Sequence, residues 1–127
     1  MSGQVVLVLD DEEPMRRLCG RVLASMGLEP LFAGTLCEAL EKLTGLERLD
    51  ALVADMRLPD GCGLEAVRAA RAKFPLAGVL IITAFVDGDE EAGELAALAG
   101  GADGVLLKPF AVESLEAAVK CRLDLGA

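Results

Sequence analysis

The chain has 127 residues, 54% of them hydrophobic, with 12 Lys and Arg against 21 Asp and Glu for a net charge of −9. That length and apolar content suit one compact domain and exclude a disordered chain. No apolar run approaches the roughly 18 residues of a membrane span. The acidic balance excludes nucleic-acid binding by the domain alone and leaves a divalent cation or a basic partner.

Met1-Ser2-Gly3-Gln4 lacks the basic start of a signal peptide, so a cytoplasmic location is expected. Val5-Val6-Leu7-Val8-Leu9 is a continuous apolar run, as in a strand buried on both faces of a parallel sheet. It ends at Asp10-Asp11-Glu12-Glu13, and Pro14 suits the first turn of a helix. Met15, Leu18, Cys19, Val22, Leu23 and Met26 recur at helical steps, with Gly27 as the stop. Pro30 to Ala33 is a weak second strand. Thr35 and Glu38 form a capping box that opens a helix with Leu36, Ala39, Leu40 and Leu43 inward. Gly45 closes it.

Ala51-Leu52-Val53-Ala54-Asp55 is a short apolar run ending in a carboxylate, and a turn with Pro59, Asp60 and Gly61 follows. A third helix carries Leu64, Val67, Ala70 and Phe74 and stops at Pro75. Val79 to Ile82 is the clearest strand and ends at Thr83. An acidic, alanine-rich helix is predicted from about Glu90 to Ala99. Gly100, Gly101 and Gly104 turn the chain into a fifth strand, Val105-Leu106-Leu107, which ends at Lys108-Pro109. The final helix uses Val112, Leu115, Val119 and Leu123. Strands alternating with helices in this way predict an α/β fold over residues 1–127, a single three-layer domain with a parallel sheet and right-handed crossovers.

Cys19, Cys37, Cys62 and Cys121 show no CxxC spacing, and the chain has no histidine to complete a zinc site. Cys19, Cys37 and Cys121 fall in helical patterns and are expected as small core residues. Cys62, in a glycine-flanked loop, is the candidate reactive thiol. Arg16, Arg17 and Arg21 are expected on a solvated helix face.

Ligands of an open parallel sheet bind outside the carboxyl ends of its strands. Those ends read Asp10-Asp11, Asp55, Thr83 and Lys108. Clustered carboxylates repel one another and call for a hard cation, and Mg²⁺ takes oxygen ligands while keeping positions for phosphate oxygens. Asp55 is then a candidate nucleophile, since aspartate can form an acyl phosphate. Lys108 would supply positive charge to a transferring phosphoryl group, and Thr83 a hydrogen bond. The plainer alternative is a Lys108–Asp55 salt bridge with Thr83 capping a turn.

At these residues the chain resembles the receiver domains of two-component response regulators. The matching pieces are Leu9-Asp10-Asp11-Glu12, Asp55 with Leu58-Pro59-Asp60-Gly61, Ile82-Thr83-Ala84, and Lys108-Pro109-Phe110. The resemblance implies a doubly wound, flavodoxin-like fold with sheet order 2-1-3-4-5. It implies that Asp55 accepts a phosphoryl group from the phosphohistidine of a sensor histidine kinase or phosphotransfer protein. Mg²⁺ would be held by Asp10, Asp11, Asp55 and the backbone carbonyl of Arg57, with Thr83 and Lys108 contacting the phosphoryl group. Such a domain catalyses its own phosphorylation and dephosphorylation and is not a classical enzyme. It signals to an output domain or downstream protein, as a monomer or a phosphorylation-dependent dimer. The resemblance also implies a cis Lys108–Pro109 peptide and kinase docking near Arg16, Arg17 and Arg21.

Two features depart from the family pattern. Val105 stands where many receivers carry Tyr or Phe, and the segment between Thr83 and Lys108 is a few residues longer than usual. Val105 is stiff at χ1 and lacks a hydroxyl. The expected moving element is therefore the loop from about Ala84 to Glu94, with Phe85 filling the space left if Thr83 is drawn toward the phosphoryl group. Phe85 and Arg57 are also expected to control attack of water on the phosphoryl group. Three rival readings carry less. Gly61-Cys62-Gly63-Leu64-Glu65-Ala66 fits a dinucleotide pattern, but Met56 to Asp60 separate it from the strand. An aspartate-nucleophile phosphatase usually has a second carboxylate two residues on, where Arg57 stands. A degenerate receiver acting only as a protein-binding module would not need the intact site.

Overall fold

The computed structural model describes residues 4–84 and 101–123. The expected helix at Glu90 to Ala99, the loop expected to move and Phe85 lie outside the described residues, apart from Ala84. Each apolar run forms a strand: β1 (Val5–Leu9), β2 (Glu29–Ala33), β3 (Ala51–Asp55), β4 (Gly78–Thr83) and β5 (Gly104–Leu107). They make one parallel sheet in the order β2-β1-β3-β4-β5, as expected. The helices are α1 (Glu13–Ser25), α2 (Leu36–Gly45), α3 (Gly63–Lys73) and α4 (Val112–Leu123). No described helix is long and apolar enough to cross a membrane.

The period-2 alternation of the strands divides the core. Leu7, Leu9, Leu52, Ala54, Val79 and Ile81 face α2 and α3 and pack on Ala39, Leu43, Val67 and Ala70. Val6, Val8, Val53, Leu80 and Ile82 face α1 and α4 and pack on Cys19, Leu23, Leu115 and Val119. Burying a large aliphatic side chain of this kind is worth roughly 2 kcal/mol.

Two ties close the layers away from the strand carboxyl ends. Asp103 Oδ2 accepts from Val79 N and Arg71 Nη2, both at 2.8 Å, while its carbonyl accepts from Arg122 Nη2 at 2.7 Å. Lys73 Nζ donates to the Leu43 carbonyl at 2.9 Å, binding the end of α3 to the end of α2. On the outer strand β2, the carbonyls and N–H groups of Glu29 and Ala33 turn inward toward β1 and its flanks. Pro30 and Phe32 therefore alternate outward, and Lys42 Nζ donates to the Phe32 carbonyl.

Several expectations are corrected. Cys37 and Cys121 are exposed rather than core residues, while Cys19 is buried. α2 buries Leu36, Ala39 and Leu43, and α4 buries Leu115 and Val119; at about 100° per residue, Cys37 and Cys121 turn away from those stripes. Val112, expected inward on the final helix, is 39% exposed at the first position of α4. The capping box closes one residue early: Glu38 N donates to Thr35 Oγ1 at 3.1 Å, but the Glu38 carboxylate accepts from Gly34 N. The turn after Asp55 contains a small antiparallel hairpin, Arg57–Leu58 against Gly61–Cys62. At its tip Asp60 caps α2, accepting from Leu36 N at 2.8 Å and Cys37 N at 2.9 Å.

Burial pushes the Cys19 thiol up to about 11, whereas Cys37, Cys62 and Cys121 are open to solvent. Iodoacetamide at neutral pH should therefore modify those exposed thiols in the native chain and reach Cys19 only in denaturant, as read by intact mass. The N–H groups of Cys37 and Leu36 hold the Asp60 carboxyl below its usual 3.8. Its contribution is therefore present above that pH and lost as pH falls through the lowered value. Asp60→Ala should melt at a lower temperature than the parent near pH 7, and the two should converge in acid below pH 3.8.

Candidate functional site

The sheet brings the strand-end residues together at one rim. Asp10 is wholly buried one step past β1, Asp55 closes β3 and is 6% exposed, and Thr83 closes β4 and is 1% exposed. Asp11 is exposed beside them. Strand alternation sets Asp10 and Asp55 in register with the residues facing α1 and α4, so both carboxylates fall on one side. Lys108 follows β5 and reaches across β4 to them. Its Nζ lies 2.8 Å from Asp10 Oδ2, 3.0 Å from Asp55 Oδ2 and 3.0 Å from Glu12 Oε1. Thr83 is linked through the backbone, its carbonyl accepting from Lys108 N at 2.9 Å. The Lys108–Pro109 peptide is cis.

The Lys108–Asp55 ion pair of the plainer reading is therefore present, but within a cluster that one ammonium does not neutralise. Burial pulls the Lys108 pKa down, and the carboxylates of Asp10, Asp55 and Glu12 overcome this and raise it, so Lys108 is charged. Asp10 is also pushed up, by burial first and by the nearby Asp55 charge, against the opposing pull of Lys108 and the Glu12 N–H. The shortage of positive charge shows in the contacts themselves: one ammonium faces the carboxylates of Asp10, Asp55 and Glu12. Asp10 Oδ1 accepts from Glu12 N at 2.9 Å. Its Oδ2 is close to Lys108 but off the angle of a hydrogen bond, so this buried oxygen keeps an unfilled acceptor position.

These residues fit a hard cation. Asp10, Asp11 and Asp55 each offer a carboxylate oxygen, and the three lie within 4.8 Å of one another. An all-oxygen donor set with surplus negative charge suits Mg²⁺. Arg57, whose carbonyl the family resemblance adds to this set, directs its N–H to Asp55 Oδ1 at 3.1 Å.

Other contributors carry roles here that the sequence reading did not assign to them. Glu12, visible there only as part of an acidic run, is a third carboxylate on Lys108. Arg16 Nη1 donates to the Asp10 carbonyl at 2.6 Å and so fixes the start of the β1–α1 loop. A Cβ at Gly63 would strike the Asp55 carbonyl, and one at Gly61 would strike the Leu36 side chain. The glycines of the dinucleotide-like pattern thus serve close packing around Asp55 and α2. Gly63 N donates to the Met56 carbonyl at 2.8 Å, which closes the hairpin's base.

The family described as response regulator receiver domain matches residues 6–120. Among curated relatives, the response regulator protein PilR of Pseudomonas aeruginosa is 37% identical over 125 residues, covering 98% of this chain and 27% of PilR. The KDP operon transcriptional regulatory protein KdpE of Escherichia coli is 33% identical over 118 residues, covering 93% of this chain and 50% of KdpE. The chain thus spans 27% to 50% of the length of these two relatives. A CheY-like response regulator receiver domain protein from Methanospirillum hungatei has a similar structure, with a TM-score of 0.85 at 26% identity over 97% of this chain and 95% of that one.

Removing one partner of a buried ion pair costs more than the pair is worth, because a bare charge is left behind. Lys108→Met should lower metal-free stability by roughly 3 kcal/mol in urea unfolding. Adding Asp10→Asn to the same chain should recover most of that loss. A double variant no more stable than Lys108→Met alone would rule out charge as the cause.

Proposed function

The chain belongs to the response regulator receiver domains, and on that premise we propose that Asp55 is the phosphoacceptor of a two-component phosphorelay. The observation that carries this reading is Asp55 itself: a nearly buried carboxylate with Lys108 Nζ 3.0 Å from one oxygen and Asp10 and Asp11 beside it. Asp55 Oδ1 is engaged by the Arg57 N–H, and Oδ2 faces Lys108. Oδ2 is the attacking oxygen. Its lone pair forms the bond to phosphorus as the phosphorus–nitrogen bond of the donor phosphohistidine breaks, and the imidazole leaves with those electrons. Lys108 stabilises the negative charge of the transferring group, and Thr83 donates to one of its oxygens. Asp10, Asp11, Asp55 and the Arg57 carbonyl would hold Mg²⁺, which would supply further positive charge to the transfer. Hydrolysis of the acyl phosphate later resets the domain.

Residues 1–127 act as one receiver domain. Its donor is a sensor histidine kinase or phosphotransfer protein, and its readout is a conformational change passed to an output domain or downstream protein, as a monomer or as a dimer formed on phosphorylation. The location is cytoplasmic, and the domain does not bind nucleic acid by itself.

Incubation with acetyl phosphate and Mg²⁺ should add one phosphoryl mass to the parent chain. Asp55→Asn or a chelator should abolish the gain. A gain that persists in either case would move the acceptor elsewhere.

A further inference from the structure

The segment that follows Asp55 is closed at its base by Gly63 N on the Met56 carbonyl, and its tip is held from outside, by α2. The Arg57–Leu58 and Gly61–Cys62 hairpin has only two residue pairs, Arg57 with Cys62 and Leu58 with Gly61. A ladder that short is marginal on its own in water. Its tip is Pro59-Asp60, and both Asp60 carboxylate oxygens are committed to the first turn of α2, Oδ1 to Leu36 N at 2.8 Å and Oδ2 to Cys37 N at 2.9 Å. The next N–H of that turn, on Glu38, is taken by Thr35 Oγ1. Asp60 thus satisfies two N–H groups that the helix leaves without internal partners, and its charge matches the positive end of the helix. α2 is a firm anchor, because Leu36, Ala39 and Leu43 are buried in the core.

We infer that Asp60 is a positioning residue for the cation: by clamping the hairpin tip to α2 it fixes the backbone of Arg57, whose carbonyl completes the ligand set. The inference rests on the Mg²⁺ reading of the site. The clamp and the ligand lie at opposite ends of the same short ladder, so a freed tip lets the Arg57 carbonyl wander while Asp55 stays fixed in β3. Groups that orient metal ligands typically change affinity by tenfold or more when removed. A helix cap with no bearing on the site would change stability alone.

The test is isothermal titration of Mg²⁺ into the metal-free chain and three variants. Asp60→Ala removes the clamp. Asp60→Asn keeps one acceptor oxygen. Cys37→Pro removes one donated N–H from the α2 side, and proline is tolerated in the first helical turn. Melts in chelator first identify the variants that are folded at the titration temperature. The expected result is a loss of roughly tenfold in Mg²⁺ affinity for Asp60→Ala, with a smaller loss for Cys37→Pro and partial retention in Asp60→Asn. If Asp60→Ala does not fold, weaker binding by Cys37→Pro and Asp60→Asn supports the clamp. Folded variants that bind as tightly as the parent would overturn the inference and leave the site reading intact. A parent chain that takes up no Mg²⁺ would overturn both.

Discussion

One ammonium facing three carboxylates is the constraint on which the rest of this structure turns. Lys108 meets Asp10, Asp55 and Glu12 at 2.8 to 3.0 Å. At such a distance and an effective dielectric near 20, one pair gains roughly 6 kcal/mol of Coulomb energy. Desolvating each ion costs several kcal/mol. A single pair would about break even; an additional buried carboxylate on the same ammonium does not. The fold nevertheless holds the arrangement, because Asp10 and Asp55 sit in register on adjacent strands whose apolar residues leave no alternative placement. Two strand spacings, roughly 10 Å, separate β5 from β3. The stem of Lys108 and the carboxylate arms of Asp10 and Asp55 together close that span, and among the described residues the small Thr83 and Ala84 stand at the intervening strand end.

The two ends of the sheet differ in how their charges are paired. At the far end Asp103 is shared by Val79 N, Arg71 and Arg122, and Arg71 also donates to the carbonyls of Ala77 and Gly101. There Asp103 has a basic partner in Arg71 and Asp50 one in Arg48, and the contacts of both acids serve to close the fold. At the strand carboxyl ends anions are in excess. Charge is thus matched pair by pair at one rim, and left with a surplus of carboxylate at the other.

Much of this was legible in the chain. Apolar runs placed the five strands of the main sheet, most plainly β1, β3 and β4, because strands buried on both faces need no pattern finer than continuous Val, Ile and Leu. The carboxylates, threonine and lysine at the run ends located the site for the same reason: a polar residue stops such a run only where the sheet ends. Contacts between distant segments left no local sign. Asp60 read as a turn residue, since its partners are the N–H groups of Leu36 and Cys37 more than twenty positions away. Gly63 read as part of a rival motif, and its role emerges only from the proximity of the Asp55 carbonyl. Cys37 and Cys121 read as core because a small residue on an amphipathic helix fits either face. Their neighbours Leu36 and Val119 took the inward positions.

The outer edge of β2 has a consequence for how the chain behaves before and after it folds. An exposed strand edge is a template on which a second chain can add a strand. Here Pro30 faces outward with no N–H to give, and the Phe32 carbonyl is already occupied by Lys42. A strand approaching that edge finds its donors and acceptors out of step with what is on offer. For a sequence that is 54% hydrophobic, an edge blunted in this way is a poor template for sheet extension at β2.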